Sequence, residues 1–550
     1  MHIDSSTTKG KKGQVYIRHL LRESYRENGK VQKRTIANIS HCSAEEISTL
    51  KLALRHKHNL NELGTLTDDV EIQQGTSFGA TYALKKIADR LGITGALGNS
   101  QQGKMALWQV LARTMAQGSR LSAVRLAGHH SAAEIIGLDS FTEDHLYANL
   151  DWLCEHQIDI EDGLYQTNQK EKSEFFLYDI TSSYLEGTQN ELGNWGYNRD
   201  KKNGKMQIVV GLLCNTQGLP VSIEVFDGAT SDCSTVKKQM DKIANRWNVP
   251  SITLIGDKGM IQGPQIDDIV NAGHSFITTI RKSRIEALVV GAGYQTTLID
   301  EDLLEIIDGG YRYILRRNPS QAIISKDKRE ELIHVVKNYV ASKNKYLSEH
   351  KKASLETSLR DIDQKISKFK LNEILTVITD QSERSISITI NEDALNNAAQ
   401  LDGCYAMKTN IFDDRMSCKD IHDKYKELAL VEDAFRCSKT ELLEMRPIHV
   451  RKAKRTRGHV FVVMLGYLII KELERCWKEI DLTVEEGIDI LKSFQTIDLS
   501  VRENSVVRKI PTPNKITKQL FELLDIQIPE LLPSAQANVA TRKKVGKDRK

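Results

Sequence analysis

Three acidic residues stand in settings that complement one another: Asp179 in FFLYDITSSY, Asp257 in ITLIGDKGM and Glu432 in ALVEDAFRCSK. The first two sit at the ends of apolar, strand-like runs. The third sits on a predicted helix. Carboxylates that converge from rigid elements can hold divalent cations, and Mg²⁺ prefers hard oxygen ligands while keeping some of its waters. Two such ions make a phosphodiester open to attack, because they activate the entering oxygen and stabilise the leaving one. The expected metal set is therefore Asp179, Asp257 and Glu432 with two Mg²⁺, for which Mn²⁺ substitutes. Glu224, Asp227 and Asp232 compete for the same role. Asp227 reads as a turn residue, and Asp232 as the N-cap of a helix running through Trp247.

The predicted helix, about 419–444, carries more than the glutamate. Tyr425, Glu432 and Lys439 recur every seven residues, so they share one stripe with a drift of about 20° per step. Leu428 and Phe435 fall on the same broad face. Tyr425 and Lys439 are expected to contact DNA, Lys439 meeting a phosphate as a point charge. Arg436 and the cluster that contains Arg451 and Lys452 continue from that helix as further phosphate contacts. In GNWGYNRDKKNGK, Trp195, Tyr197, Arg199, Lys201 and Lys202 combine stacking surfaces with phosphate-binding charge. A hairpin turn with one packed aromatic explains that loop equally well. His449 and His459 read as structural, and the tandem His129-His130 as surface.

Apolar periodicity gives the elements that must position these groups. Residues 14–38 alternate around Asn28-Gly29, the signal of a hairpin with a type I′ turn. From 75 to 165 the pattern is that of short helices interrupted by Gly. From 174 it becomes β-β-β-α-β-α-β, the order of an RNase H-like core, in which the strands that carry Asp179 and Asp257 are neighbours. Residues 328–370 read as a helical hairpin between further strands, and 460–470 as a helix buried against a sheet. The expected class is α/β: an RNase H-like core with a β-containing insertion, plus a mainly helical N-terminal region preceded by a β-hairpin. The expected divisions are 1–65 (basic hairpin region), 66–172 (helical DNA-binding region), 173–283 (first part of the core), 284–402 (insertion), 403–480 (second part of the core) and 481–550 (C-terminal segment and basic tail).

At 550 residues the chain is too long for one ordinary core. Hydrophobic residues make up 40% and charged residues 27%, a globular balance that excludes disordered and fibrous classes. The net charge of +4 says little, but its distribution says more. Residues 9–34 hold nine Lys/Arg against two Glu, residues 446–457 hold six basic residues and no acid, and the tail TRKKVGKDRK is basic again. Such patches fit a polyanion, double-stranded DNA, although each alone is equally a solvated face. The eight cysteines show no zinc spacing and read as reduced thiols. The polar N-terminus and the shortness of the longest apolar run predict a cytoplasmic protein with no membrane partner.

With these residues in view, the chain resembles bacterial insertion-sequence DDE transposases of the insertion-sequence-four superfamily, in the longer branch with an insertion before the catalytic glutamate. YDITSSYLEG, GYNRDKKNGKMQIVVGLL and LIGDKGM resemble the two aspartate regions. YKELALVEDAFRCSK, followed by RPIHV and RGHVFVVMLGYL, resembles the glutamate region. The resemblance implies that Asp179, Asp257 and Glu432 are the catalytic metal ligands. It also implies binding to inverted-repeat ends, strand cleavage, transfer of the freed 3′-OH to target DNA, and a homodimer on paired ends. The chain departs from the pattern at Leu428, where the superfamily's Tyr-Arg-Glu-Lys signature has Arg. Two other readings fit parts of the chain: a stand-alone RNase H-like nuclease, and a non-catalytic DNA-binding protein derived from such an element.

Overall fold

The computed structural model describes residues 1–9, 15–58, 70–168, 174–291, 303–439, 442–501 and 505–532. The basic tail at 541–550, and the part of the N-terminal basic stretch at 10–14, lie outside the described residues. Asn28 and Gly29 take φ of 47° and 75°, as a type I′ turn requires. Three antiparallel strands lie there, β1 (His2–Lys9), β2 (Val15–Glu27) and β3 (Lys30–Asn38), with β2 central. The expected ribbon has only two, because β1 is mostly polar and gives no alternation to read. Helix α1 (Ala44–Arg55) follows from a capping box between Ser43 and Glu46. Strand β4 (Val70–Ser77) comes next.

Seven helices lead to the main sheet: α2 (Gly79–Arg90), α3 (Ile93–Leu97), α4 (Gln101–Met115), α5 (Arg120–His129), α6 (Ala132–Ile136), α7 (Glu143–Glu155) and α8 (Gln157–Asn168). Strands β5 (Phe175–Tyr184), β6 (Gln207–Cys214) and β7 (Pro220–Phe226) then pair antiparallel. After α9 (Val236–Asp241), β8 (Thr253–Ile255) returns parallel to β5. After α10 (Gly263–Asn271), β9 (Ser275–Thr279) is parallel to β8. Then come α11 (Lys282–Gly291), β10 (Leu304–Asp308), β11 (Tyr311–Arg317), α12 (Pro319–Glu349), α13 (Leu355–Phe369), β12 (Leu375–Asp380), β13 (Ser385–Ile390), α14 (Glu392–Gln400) and β14 (Cys404–Thr409). The chain closes with α15 (Cys418–Lys426), α16 (Ala429–Lys439), α17 (Ala453–Cys476), α18 (Val484–Ser493), β15 (Gln495–Val501), β16 (Ser505–Lys509) and α19 (Lys515–Leu523).

Two compact units result. The first holds 1–76, 495–512 and 529–532, and includes a sheet of order β16-β15-β4. The second holds 77–494 and 513–528, built on an eight-stranded sheet of order β10-β11-β14-β9-β8-β5-β6-β7. Along β5 the even residues Phe176, Tyr178 and Ile180 join a core with Val236 and Met240 of α9 and Ile266 and Ile269 of α10. Helices α16 and α17 pack on β5 and β7.

Three expectations change. Helices α2–α8 do not form a compact unit of their own, for α4 and α7 pack along α17 and α4 is buried over nearly its whole length. The cause is α17 itself, whose residues from Gly458 to Ile470 are all buried, so it needs helical partners on several sides. The segment 284–402 is not all insertion, because β10 and β11 extend the main sheet beside β14. Only α12–α14 with β12 and β13 gather round a core of their own, with Val336, Val340, Ile362 and Ile366 at its centre. His130 is buried rather than on the surface, and its carbonyl accepts from Thr81 Oγ1 at 2.9 Å.

Candidate active site

The register of β5 on β8 pairs Phe175 with Thr253 and Leu177 with Ile255. Asp179 lies two residues beyond Leu177 on β5, and Asp257 two residues beyond Ile255, just past the end of β8. Each aspartate uses one oxygen to fix its own backbone. Asp179 Oδ1 accepts from Ile180 N at 2.8 Å, and Asp257 Oδ1 accepts from Gly259 N at 2.9 Å and Met260 N at 3.0 Å. Among the described residues neither Oδ2 carries a hydrogen bond. Glu432, exposed on α16, carries no side-chain hydrogen bond or ion pair there either.

The Asp257 and Glu432 carboxylates lie near enough to act on that of Asp179. Burial, then the Asp257 and Glu432 carboxylates, push the Asp179 carboxyl up to about 7, against its bond to Ile180 N and the nearby Arg199. Burial also raises the Tyr425 phenol, with Asp257, Asp179 and Glu432 all adding to it; its hydroxyl lies 3.4 Å from Thr279 Oγ1. Hard oxygen donors with uncompensated negative charge fit a divalent cation in kind. In the arrangement described, no three His, Cys, Asp or Glu groups among the described residues are close enough together to ligate one ion.

The glutamate helix differs from expectation. The predicted single helix at 419–444 is two, α15 and α16, joined at Glu427-Leu428. The amides of Leu428, Leu430 and Val431 bond carbonyls three residues back, a tighter turn than the α-helix has. Tyr425 therefore lies on a different helix from Glu432 and Lys439, and Leu428 is buried at the joint. Lys439 is also buried. Its Nζ donates to Thr181 Oγ1 at 2.6 Å and to Asp200 Oδ1 at 2.9 Å, so its charge is used inside the protein and not held out toward a phosphate. Burial lowers its ammonium from the usual lysine range, and Asp200 opposes that shift.

Asp232 is not an N-cap. Ser231 holds that position, without a side-chain cap bond, and the segment behind it is a 3₁₀ turn, the short α9 and a π turn, not one helix. The Asp232 carboxylate instead accepts from Arg199 at 2.6 Å. It also flanks the site: a Cβ on Gly259 would lie 3.2 Å from Asp257 Oδ1 and 3.4 Å from Asp232 Oδ2. No sequence signal ties Asp232 to Arg199, nor Asp200 to Lys439, since only the fold brings them together.

The basic candidates divide into two groups. Trp195 is 59% exposed, Tyr197 82%, and Lys201 is also exposed, whereas Arg199 is half-buried against Asp232 and over the Tyr197 ring. Arg436 is exposed with an ion pair to Asp433. Arg451 and Lys452 are exposed, but Lys454 and Arg455 pair with Glu155 and Asp151 of α7. His459 is structural as expected: buried, with Nδ1 3.0 Å from Arg120.

The family model of the transposase DDE domain matches residues 170–469, a span that holds Asp179, Asp257 and Glu432. The model of the N-terminal domain of IS1634 family transposases matches residues 3–67. No curated protein matches the chain. Among solved structures, a piggyBac transposase synaptic complex with hairpin DNA is 9% identical, with a TM-score of 0.35 over 85% of this chain and 79% of that one. A likeness of that size carries no argument. The DDE match alone covers more than half of the sequence, and the chain belongs to the insertion-sequence DDE transposases.

Proposed function

We propose that this DDE transposase has an RNase H-like catalytic core, binds the inverted-repeat ends of its element, cuts them, and joins the freed 3′-OH to target DNA, working as a homodimer on paired ends. The observation that carries this reading is the placement of Asp179 on β5 and of Asp257 just past the end of the neighbouring parallel strand β8, with Glu432 near enough to act on the Asp179 carboxyl. Three antiparallel strands followed by two parallel ones, in the order β7-β6-β5-β8-β9, support the RNase H-like description.

Asp179, Asp257 and Glu432 would hold the metal, two Mg²⁺ or in their place Mn²⁺. When bound, it would supply Lewis-acid charge at the entering and leaving oxygens of the phosphodiester. The chain's own part is positioning. Backbone amides clamp one oxygen of each aspartate and so fix the direction of the other. Tyr425 closes one side of the site. Trp195 and Lys201 offer a stacking surface and a charge to the strand at the scissile bond, while Arg436, Arg451 and Lys452 take phosphates further along.

The test is cleavage of end-containing DNA with Mg²⁺, following each strand. Asp179→Ala, Asp257→Ala and Glu432→Ala should each abolish cutting and leave end binding intact. Metal-dependent cleavage retained in all three would overturn the site. Cutting that ignores the end sequence would make the protein a stand-alone nuclease.

A further inference from the structure

The Asp200 side chain is 2% exposed, yet it gathers two cations. Its Oδ1 accepts from Lys439 Nζ at 2.9 Å and from Arg446, and its Oδ2 accepts from the backbone N–H of Tyr184 at 3.1 Å. Lys439 completes the cluster through Thr181 Oγ1 at 2.6 Å. Four parts of the chain thus meet at one carboxylate: strand β5 through Thr181 and Tyr184, the loop after it through Asp200, helix α16 through Lys439, and the segment after α16 through Arg446.

The spacing of these contacts matters. Two residues back from Thr181 along β5 is Asp179, on the same face of the strand. Two turns back from Lys439 along α16 is Glu432. The contact between Lys439 and Thr181 therefore sets where α16 lies along β5, and so how far Glu432 stands from Asp179. Asp200 holds that contact, because a buried ammonium without a counter-charge is costly. We propose that Asp200 is a positioning residue for the carboxylate site, which fixes Glu432 beside Asp179 by holding Lys439 and Arg446 in the protein interior. Lys439 acts through this cluster and not on DNA.

This inference rests on the functional reading above, and three variants test it: Asp200→Asn, Lys439→Met and the double variant. Displacing a ligand by about an ångström costs on the order of 100-fold in rate. Asp200→Asn should therefore cut end DNA about 100-fold more slowly and need more Mg²⁺ for half-maximal rate. Lys439→Met deletes the same positioning contact, so the double variant should cut no more slowly than Asp200→Asn alone, a coupling that independent residues do not show. End-binding affinity, and its dependence on salt, should stay at the wild-type level in all three. If Asp200→Asn does not fold, Lys439→Met still decides the matter, since Asp200 keeps Arg446 as its partner. A lysine on a phosphate would lower the salt slope by about 1 when removed; that result overturns the proposal. Additive losses in the double variant overturn it too. So does a loss of rate at an unchanged Mg²⁺ midpoint, which marks a smaller folded fraction and nothing more. Failure of the wild-type protein to cut end DNA would instead overturn the functional reading.

Discussion

Asp179 concentrates the electrostatic cost of the site. Its carboxyl has an ordinary value of 3.8 and is held at about 7 in the fold, by burial first and then by Asp257 and Glu432. The folded protein therefore keeps a proton that the unfolded chain releases. The proton's stabilising effect is complete below pH 3.8 and is lost as pH rises through 7. Without metal, the ionised carboxylate is then a net cost at alkaline pH. Asp179→Asn removes that cost. In EDTA at pH 8 the variant should be more stable than wild type by on the order of 2 kcal/mol, after allowance for solvent screening. The gain should shrink as pH falls and vanish near 4. Urea unfolding across that range measures it, and equal stability at pH 8 would mean that Asp179 does not feel its neighbours. The same variant should be inactive at every pH, a case of stability given up for function.

At the scale of elements, α17 shows how tightly the layers fit. Gly458 sits where α17 crosses α7, and a Cβ there would come within 2.2 Å of the Leu150 carbonyl oxygen. That contact is with backbone, so a helix must move. Gly458→Ala should cost about 2 kcal/mol in urea unfolding despite its better helix propensity, and a stabilised variant would show that the helices yield there. The same layers hold two histidines that resist protonation. Burial lowers His130 to about 4 and takes His459, beside Arg120, well below its usual range. As pH falls from 6.5 toward 4, the unfolded chain takes up protons that the folded one refuses, so stability should decline. His130→Gln should flatten that decline, as Tm measured across the window will show. The elements themselves were largely legible. The strand order from 174, the hairpin at Asn28-Gly29 and the buried helix at 460–470 all follow from apolar pattern and turn chemistry. What the pattern hid was partnership. Tyr425, Glu432 and Lys439 keep a seven-residue repeat, but the turn at Leu428 breaks the helix without breaking the repeat. Asp232 has the sequence context of a cap and the partners of a site residue. Helices α4 and α7 have the spacing of an independent bundle, yet they serve the core because α17 must be covered.

Across the whole molecule, net charge is a poor guide to DNA binding, because basic residues of like appearance do different work. Of the run from 446 to 457, Arg446 holds Asp200, Lys454 pairs with Glu155 and Arg455 with Asp151. Those charges are paired within the fold. Arg451 and Lys452 are exposed, with no side-chain ion pair among the described residues. Only such free cations contribute to the salt dependence of binding, at about 0.9 of slope for each phosphate neutralised. The double substitution Arg451→Gln with Lys452→Gln should therefore lower the slope of log K against log salt by about 2, and weaken end and random DNA alike. Its cutting rate at saturating DNA should match wild type. Lys454→Gln with Arg455→Gln removes the same formal charge from the same ten-residue neighbourhood. It should leave the slope unchanged and lower Tm instead, since those two residues tie α17 to α7. Filter binding over a salt series, run beside thermal unfolding, separates the pairs. Equal slope changes for both would mean that the ion pairs to α7 open when DNA binds, and that the division between structural and DNA-facing charge made by the folded protein does not survive contact with its substrate.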